Sequence, residues 1–418
     1  MSELPPIAYV KSKGEPITRR WVEQRWLLDN VIRANGIDWD QPRSIYLNLP
    51  CGMEAAPDFA GLRQRVQKYA DVANAFEAAA RRREDKAKAA EEEGESITAR
   101  ENYFIAAILW GAGQWPFDQA DDRNIAFNEH KRQCYGNYAR LADHRVEAVV
   151  IPFQGRSLTA WLHLPYGYAG GRVPAIVAIP GMDSFKETGV ALYGDRWLNR
   201  GIAVLAVDGP GQYEAPLLGV HVSIPAWQEA AGTWVDWLSA RPEIDAARIG
   251  LIGTSFGSFF ATIAAAAEPR YKAVAVSATC LEPGCRTIFE EASPTFKKRF
   301  MFMSGILDEG EFDEFCRTLT WEGHAEKIAA PYFCMAGESD ELSPLEHTEA
   351  MFRRMTGPRQ LVVYMDSRHS VGNVPSTVLG PSPATLQANW MAARLAGKSF
   401  ASERWFVDGA GRVTRTAY

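Results

Sequence analysis

Five consecutive residues, Gly253-Thr254-Ser255-Phe256-Gly257, set a hydroxyl between two glycines in a Gly-x-Ser-x-Gly pattern. Chance gives that pattern in about one chain in ten of this length, so its surroundings carry the weight. A buried-type run, 249–252, leads in, and an Ala-rich, helix-forming run, 259–267, leads out. A serine at a tight strand-to-helix turn is presented in strained backbone geometry, and flanking glycines let strand and helix approach closely. The helix N-terminus beneath it favours negative charge developing on a substrate. That context predicts a nucleophile at Ser255, with a plain helix N-cap as the structural alternative.

A serine hydroxyl attacks only when a base takes its proton. Three histidines follow Ser255: His324, His347 and His369. His324 falls in a helical insertion and His347 inside a predicted helix. His369 follows a predicted strand by four residues, in a loop at the carboxyl end of a parallel strand, where α/β active sites are built. It is the expected base. The acid that orients it is expected at Asp340, in Gly337-Glu338-Ser339-Asp340-Glu341, ahead of Glu338 and Asp366. Its task is to fix one imidazole tautomer and to stabilise the imidazolium. Attack creates an oxyanion that needs two aimed donors. The expected pair is the N–H of Phe256 and the N–H of Met182, which follows Gly181 after another strand. Asp183 reads equally as a substrate contact or a helix cap.

These residues need a sheet to hold them. Strand-like runs occur at 175–180, 203–208, 249–253, 273–277, 332–336 and 361–365, with helical segments at 226–240, 256–268, 345–355 and 385–396. Such alternation predicts a mostly parallel sheet with helices on both faces, preceded by a hairpin turning at Gly155. Helical pattern over about 281–328 interrupts the alternation and occupies the place of a lid. Upstream, helices are expected over 22–34, 62–80, from 97 to Pro116 and over 122–141, with the charged run 81–96 as a solvated helix end and loop. The expected division is a helical, cap-like domain at 1–143 and a catalytic α/β domain at 144–418.

With these residues placed, the chain resembles the α/β-hydrolase family of 2,6-dihydroxypseudooxynicotine hydrolase and the FrsA-like esterases. The resemblance runs from about Tyr103 onward. It rests on Pro-Gly-Met-Asp-Ser-Phe-Lys-Glu at 180–187 and on Asp-Gly-Pro-Gly-Gln-Tyr-Glu at 208–214. It places Ser255, Asp340 and His369 on the family's triad positions, and it implies an N-terminal helical domain closing over the site. Tyr213 stands where the family has glycine, which brings a ring toward the site. Met182 stands where the family has leucine, a volume-conserving change. The family cleaves esters, and some members cleave a carbon–carbon bond beside an activated ketone.

The resemblance thus implies a serine hydrolase acting through an acyl-enzyme on a small, aromatic or polyketide-like substrate. Tyr213, Trp110 and Trp115 join Asp183 as candidate substrate contacts, although aromatic residues at helical spacing are more often core. Acyl transfer to another acceptor, and a catalytically silent binding protein, are the rival readings.

Bulk properties agree. The 418 residues are 47% hydrophobic and 23% charged. A net charge of −6 and a pI near 5.8 give no basic face for nucleic acid. The longest apolar stretch, 259–267, is about half a membrane span, and the N-terminus shows no run of signal-peptide length. Six scattered cysteines without a Cys-x-x-Cys pair suit free buried thiols. A cytoplasmic protein is expected, with a small-molecule substrate, no membrane, no metal and no cofactor, and with a homodimer as the candidate assembly.

Overall fold

The computed structural model describes residues 4–418. The chain begins with helices: α1 (Trp21–Asn35), α2 (Arg43–Cys51), α3 (Ala56–Arg65), α4 (Val72–Glu92), α5 (Ser96–Ala112) and α6 (Asp122–Leu141). The change to strands falls between Leu141 and Val146. Two sequence expectations need correction here. The stretch expected as one helix over 62–80 breaks between Arg65 and Val72. The charged run expected as a solvated end is helical through Glu92, and it buries Arg83 and Glu84. Arg83 reaches Asp58 at 2.6 Å and Asn102 at 2.8 Å, and Glu84 accepts the indole N–H of Trp110 at 3.2 Å. Burial of those charges is supported by partners from other helices, which a linear pattern does not reveal.

Among the described residues ten strands form one sheet: β1 (Val146–Phe153), β2 (Arg156–His163), β3 (Val173–Ile179), β4 (Ala203–Asp208), β5 (Ile244–Ser255), β6 (Val274–Thr279), β7 (Tyr332–Gly337), β8 (Arg359–Tyr364), β9 (Glu403–Val407) and β10 (Val413–Ala417). Their order is β1-β2-β4-β3-β5-β6-β7-β8-β9-β10. From β4 to β9 neighbouring strands run parallel, and antiparallel hairpins close both edges. The central strands are near-continuous apolar runs buried throughout, as a doubly covered sheet requires. The chain steps from β3 to β4 on one side, then returns to β5 on the other. That reversal makes a crevice beyond the strands' carboxyl ends. The C-terminal hairpin β9–β10 and helix α2 are additions to the expected pattern.

Covering the sheet are α7 (Glu214–Leu217), α8 (Ile224–Ser239), α9 (Phe256–Ala267), α12 (Leu345–Arg354) and α14 (Pro383–Leu395), with α13 (Pro375–Leu379) a short turn. Between β6 and β7 lie a π-helical turn (Thr287–Glu291), α10 (Pro294–Ser304) and α11 (Glu309–Cys316). This insertion packs on the start of α9. The rings of Phe289 and Phe300 lie 5.8 and 4.7 Å from that of Phe256. It is tied to the helical layer by buried cations: Arg299 donates to the carbonyl of Phe117 at 2.5 Å, and Lys298 pairs with Asp118 at 3.3 Å. No helix among the described residues is long and apolar enough to cross a membrane. The six cysteines are free and buried.

One ionic cluster joins the helical layer to the sheet. Lys186 Nζ lies 3.1 Å from Asp208, 2.5 Å from Glu214 and 3.2 Å from Glu187. From α6, Lys131 approaches Glu187 at 3.7 Å and Arg132 meets Glu214 at 3.1 Å. Three cations thus face three carboxylates, all buried. Burial opposes the charge on Lys186, but Asp208, Glu187 and Glu214 together raise its pKa above the ordinary value. Burial likewise opposes charge on Glu214, yet Lys186, Arg132 and Lys131 hold it well below the carboxylate range. Removing one member strands a buried charge. Lys186→Met is expected to lose about 3–5 kcal/mol of stability, read as a fall in the urea midpoint.

Candidate active site

Ser255 sits where β5 turns into α9, at φ 56° and ψ −129°, a conformation costly for any residue but glycine. Glycines on either side make the turn feasible. A Cβ on Gly253 would lie 2.1 Å from the carbonyl oxygen of Gly257, and one on Gly257 would lie 2.4 Å from that of Ile179. The motif is therefore a steric requirement: helix and strands come closer here than a side chain permits. The φ > 0 also aims the hydroxyl across the crevice.

The loop after β8 brings His369 to meet it. Ser255 Oγ and His369 Nε2 are 2.9 Å apart. The other ring nitrogen, Nδ1, is 3.0 and 3.1 Å from the two carboxylate oxygens of Asp340. That carboxylate is itself fixed, because Oδ1 accepts the backbone N–H groups of Leu342 at 2.9 Å and Ser343 at 3.0 Å. Asp340 and His369 are 7% and 4% exposed, so their interaction is poorly screened. Burial pulls the imidazole pKa down, but Asp340 more than offsets this and leaves it well above 6.5. Neither neighbouring glutamate takes that place. Glu338 accepts the N–H of Asp366 at 3.1 Å, and Glu341 accepts the backbone N–H of His369 at 3.1 Å. Asp366 itself lies at a positive φ of 58°.

The loop after β3 passes against Ser255. A Cβ on Gly181 would fall 2.9 Å from Ser255 Cβ. Met182 comes next, its side chain buried. Phe256 is the first residue of α9, so its N–H has no carbonyl one turn back to bond within the helix. The two backbone donors anticipated from sequence thus belong to segments that flank Ser255. Behind the loop, Lys186 clamps it twice to β4, by its N–H to Asp208 Oδ1 at 2.9 Å and by its ammonium.

A cavity of about 230 Å³ opens on Ser255 and His369. Its walls include Leu192, Met335, Val371 and Pro383 as apolar surface, and Tyr46, Asp183, Tyr193 and Gln387 as polar groups. Asp183 is among the anticipated residues that reach it. The aromatic candidates do not, and here the sequence expectation is corrected. Trp110 is fully buried between helices, stacked on His130 at 4.4 Å with its N–H on Glu84. Trp115 is 1% exposed and packs against the guanidinium of Arg43 and the ring of Phe296. Tyr213 is buried behind the loop that follows β3 and donates to the carbonyl of Asp183 at 3.1 Å. Its φ is 30°, which explains why glycine suits that position elsewhere. Here a strained tyrosine is held by that hydrogen bond and by packing on Phe185.

Three contributors escaped the sequence reading. Tyr46 on α2 donates to Asp183 Oδ2 at 2.5 Å. Tyr193 is hydrogen-bonded to Thr254, the residue before Ser255, at 2.5 Å. Cys280 places its sulfur 3.7 Å from Ser255 Oγ. Tyr46 lies outside every motif that the sequence offers, and Cys280 is one of six scattered cysteines.

With this geometry in view, the sequence comparisons are informative. The model of the family described as Esterase FrsA-like matches residues 60–308, more than half of the chain. The chain belongs to the FrsA-like esterase family. This FrsA-like chain has the α/β-hydrolase fold, and its relatives carry hydrolase names. It is 30% identical over 263 residues to the α/β hydrolase xenA of Xenoacremonium sinensis, covering 60% of this chain and 56% of that protein. It is 26% identical over 325 residues to 2,6-dihydropseudooxynicotine hydrolase of Paenarthrobacter nicotinovorans, covering 76% and 83%. The chain spans about half the length of the first fungal relatives it matches. Among solved structures, the 2,6-dihydroxy-pseudo-oxynicotine hydrolase superposes with a TM-score of 0.68 at 23% identity, over 91% of this chain and 98% of that one. AbyA5 gives 0.60 at 14% identity, over 77% and 89%. These two likenesses establish the α/β-hydrolase architecture.

Gly181→Ala is expected to push the loop off Ser255 and lower kcat by about 10²–10³. Its thermal melting should stay close to that of the parent, which circular dichroism would check.

Proposed function

We propose that this FrsA-like enzyme hydrolyses an activated carbonyl compound through an acyl-enzyme on Ser255. The single observation that carries this reading is the unbroken hydrogen-bonded line Ser255 Oγ–His369 Nε2–Nδ1–Asp340. As Ser255 Oγ attacks the carbonyl carbon, its proton passes to His369 Nε2 and the carbonyl π pair moves to oxygen. The N–H groups of Met182 and Phe256 receive that oxyanion. Collapse re-forms the carbonyl and expels the leaving group, which takes the proton from His369. Water then repeats the sequence against the acyl-enzyme, and the acid is released.

An alcohol leaves readily from an ester. A carbon leaving group departs from a ketone by the same steps where its carbanion is stabilised by resonance and protonated. The cavity, part apolar and part hydrogen-bonding, suits a small substrate, aromatic or polyketide-like, better than a long acyl chain. A protein that only binds ligands on this scaffold has no use for a buried imidazole aligned on a strained serine. Hydrolysis is preferred over transfer to another acceptor, since the relatives carry hydrolase names.

Two measurements test the reading. Ser255→Ala is expected to lower turnover of aryl esters by roughly 10³ or more and to abolish labelling by a fluorophosphonate, with the circular-dichroism spectrum unchanged. Retained turnover would mean another nucleophile. The pH profile tests the base. Only neutral His369 accepts the serine proton, so kcat/KM should fall on acidification with a midpoint above 6.5, the ordinary histidine value. Asp340→Asn removes the charge that raises that pKa. The midpoint should then move to lower pH, while the rate drops by about 10⁴ through loss of the productive tautomer.

A further inference from the structure

The cavity beside Ser255 has one carboxylate on its wall, Asp183, among the described residues that line it. Its surroundings are built with unusual care for a group outside the triad. One oxygen, Oδ2, accepts the phenol of Tyr46 at 2.5 Å, and Tyr46 lines the same cavity. Tyr213 holds the backbone carbonyl of Asp183 at 3.1 Å. Behind Tyr46 lies Arg43, 3% exposed. Its guanidinium is sandwiched 4.7 and 4.5 Å from the rings of Trp39 and Trp115.

The charge balance around Asp183 is the telling feature. Arg43 is neutralised by a two-point bond to Asp40, at 2.6 and 2.8 Å. A further nitrogen of Arg43 donates to the Tyr46 hydroxyl at 3.2 Å, and its nearest approach to Asp183 is 3.9 Å, beyond hydrogen-bond reach. One cation and two carboxylates leave one net negative charge, and Asp183 presents it to the cavity. A carboxylate is acceptor-only. With Oδ2 engaged by Tyr46, the remaining capacity faces the space where a substrate must lie to reach Ser255. Because Asp183 directly follows Met182 in the chain, whatever it grips is registered against the attacked carbonyl.

We propose that Asp183, oriented by Tyr46 and Arg43, is a specificity-determining residue that accepts a hydrogen bond from a hydroxyl of the substrate near the scissile carbonyl and rejects a second negative charge there. The inference rests on the acyl-enzyme reading above and names the substrate class for it: hydroxylated carbonyl compounds, phenolic or enolic, in preference to their deoxy or carboxylated analogues. A hydrogen bond to a charged acceptor separates hydroxylated from deoxy substrates by about 10-fold to 10²-fold.

The test uses the full-length enzyme and 4-nitrophenyl esters of benzoate, of its three monohydroxy isomers and of its monocarboxy isomers. Phenyl acetates carrying the same groups on the leaving-group ring form a second arm. At least one hydroxy isomer in one arm should exceed the unsubstituted ester in kcat/KM by about 10-fold or more, and the matching carboxy isomer should fall below it. The better arm assigns the hydroxyl to the acyl or the alcohol side. Asp183→Asn should bring the hydroxy-to-deoxy ratio down toward one and raise the relative rate of the carboxy isomer. A merely structural role for Asp183 would lower all three substrates in parallel. Should that variant turn over too slowly, the same ratios are read from calorimetric binding of phenylboronic, hydroxyphenylboronic and carboxyphenylboronic acids. Ratios near one throughout the wild-type panel, or ratios that Asp183→Asn leaves unchanged, overturn the proposal. Fluorophosphonate labelling of Ser255, run alongside, separates this failure from failure of the nucleophile, since it reads the triad without the hydroxyl.

Discussion

Lys186 carries its charge deep inside the protein because three carboxylates surround it, and the geometry of the site depends on that arrangement. Its backbone N–H and its ammonium both reach Asp208, at the end of β4, while Glu214 receives the ammonium from the start of α7. The segment between Gly181 and Lys186 is thereby stretched across the carboxyl ends of β3 and β4, with Gly181 against Ser255. Neighbouring Glu187 and Glu214 take Lys131 and Arg132 from α6. The helical layer and the sheet are thus locked through the same few ions that fix the loop. Charges this deep are costly to desolvate and add little net stability over an apolar core. Their return is geometric, because few alternative arrangements satisfy six charges at once.

Strain is concentrated in the same region. Ser255, Ala278 and Val371 all have positive φ and all line the cavity, and Tyr213 stands behind it at 30°. Conformations of this kind cost about 1–3 kcal/mol each and persist only where the surroundings over-determine them. Here the sheet, the insertion and the ionic cluster supply that constraint. The consequence is a hydroxyl, an imidazole and a carboxylate held in line by the fold itself.

How the helical layer contributes is less obvious than closure over a site. Its tryptophans were natural candidates for a substrate pocket, but Trp110 serves the packing of α4, α5 and α6, and Trp115 cushions Arg43. What the layer offers the cavity is polar: Tyr46, set by Arg43, against Asp183. The aromatic rings hold the cation, the cation holds the phenol, and the phenol holds the carboxylate. Each link is short-ranged, so a disturbance at Trp39 or Trp115 would be felt beside Ser255.

What the sequence determined by itself was the set of parts that local rules dictate. Glycines flanking Ser255 report a backbone crossing too close for side chains. Apolar runs alternating with helical periods fix a parallel sheet, and a parallel sheet puts chemistry at its carboxyl ends, which picks out His369 and Asp340 by position in the chain. Those inferences need only neighbours in sequence. Tertiary structure alone decided which buried charges were paired, that the charged run stays helical through Glu92 with Asp58 and Asn102 answering Arg83, and that Trp110 faces helices while Tyr46 faces the cavity. Periodicity reports that a residue is buried and is silent on what it is buried against. Partners such as Tyr46 and Asp183, 137 positions apart, meet only when the whole chain is folded.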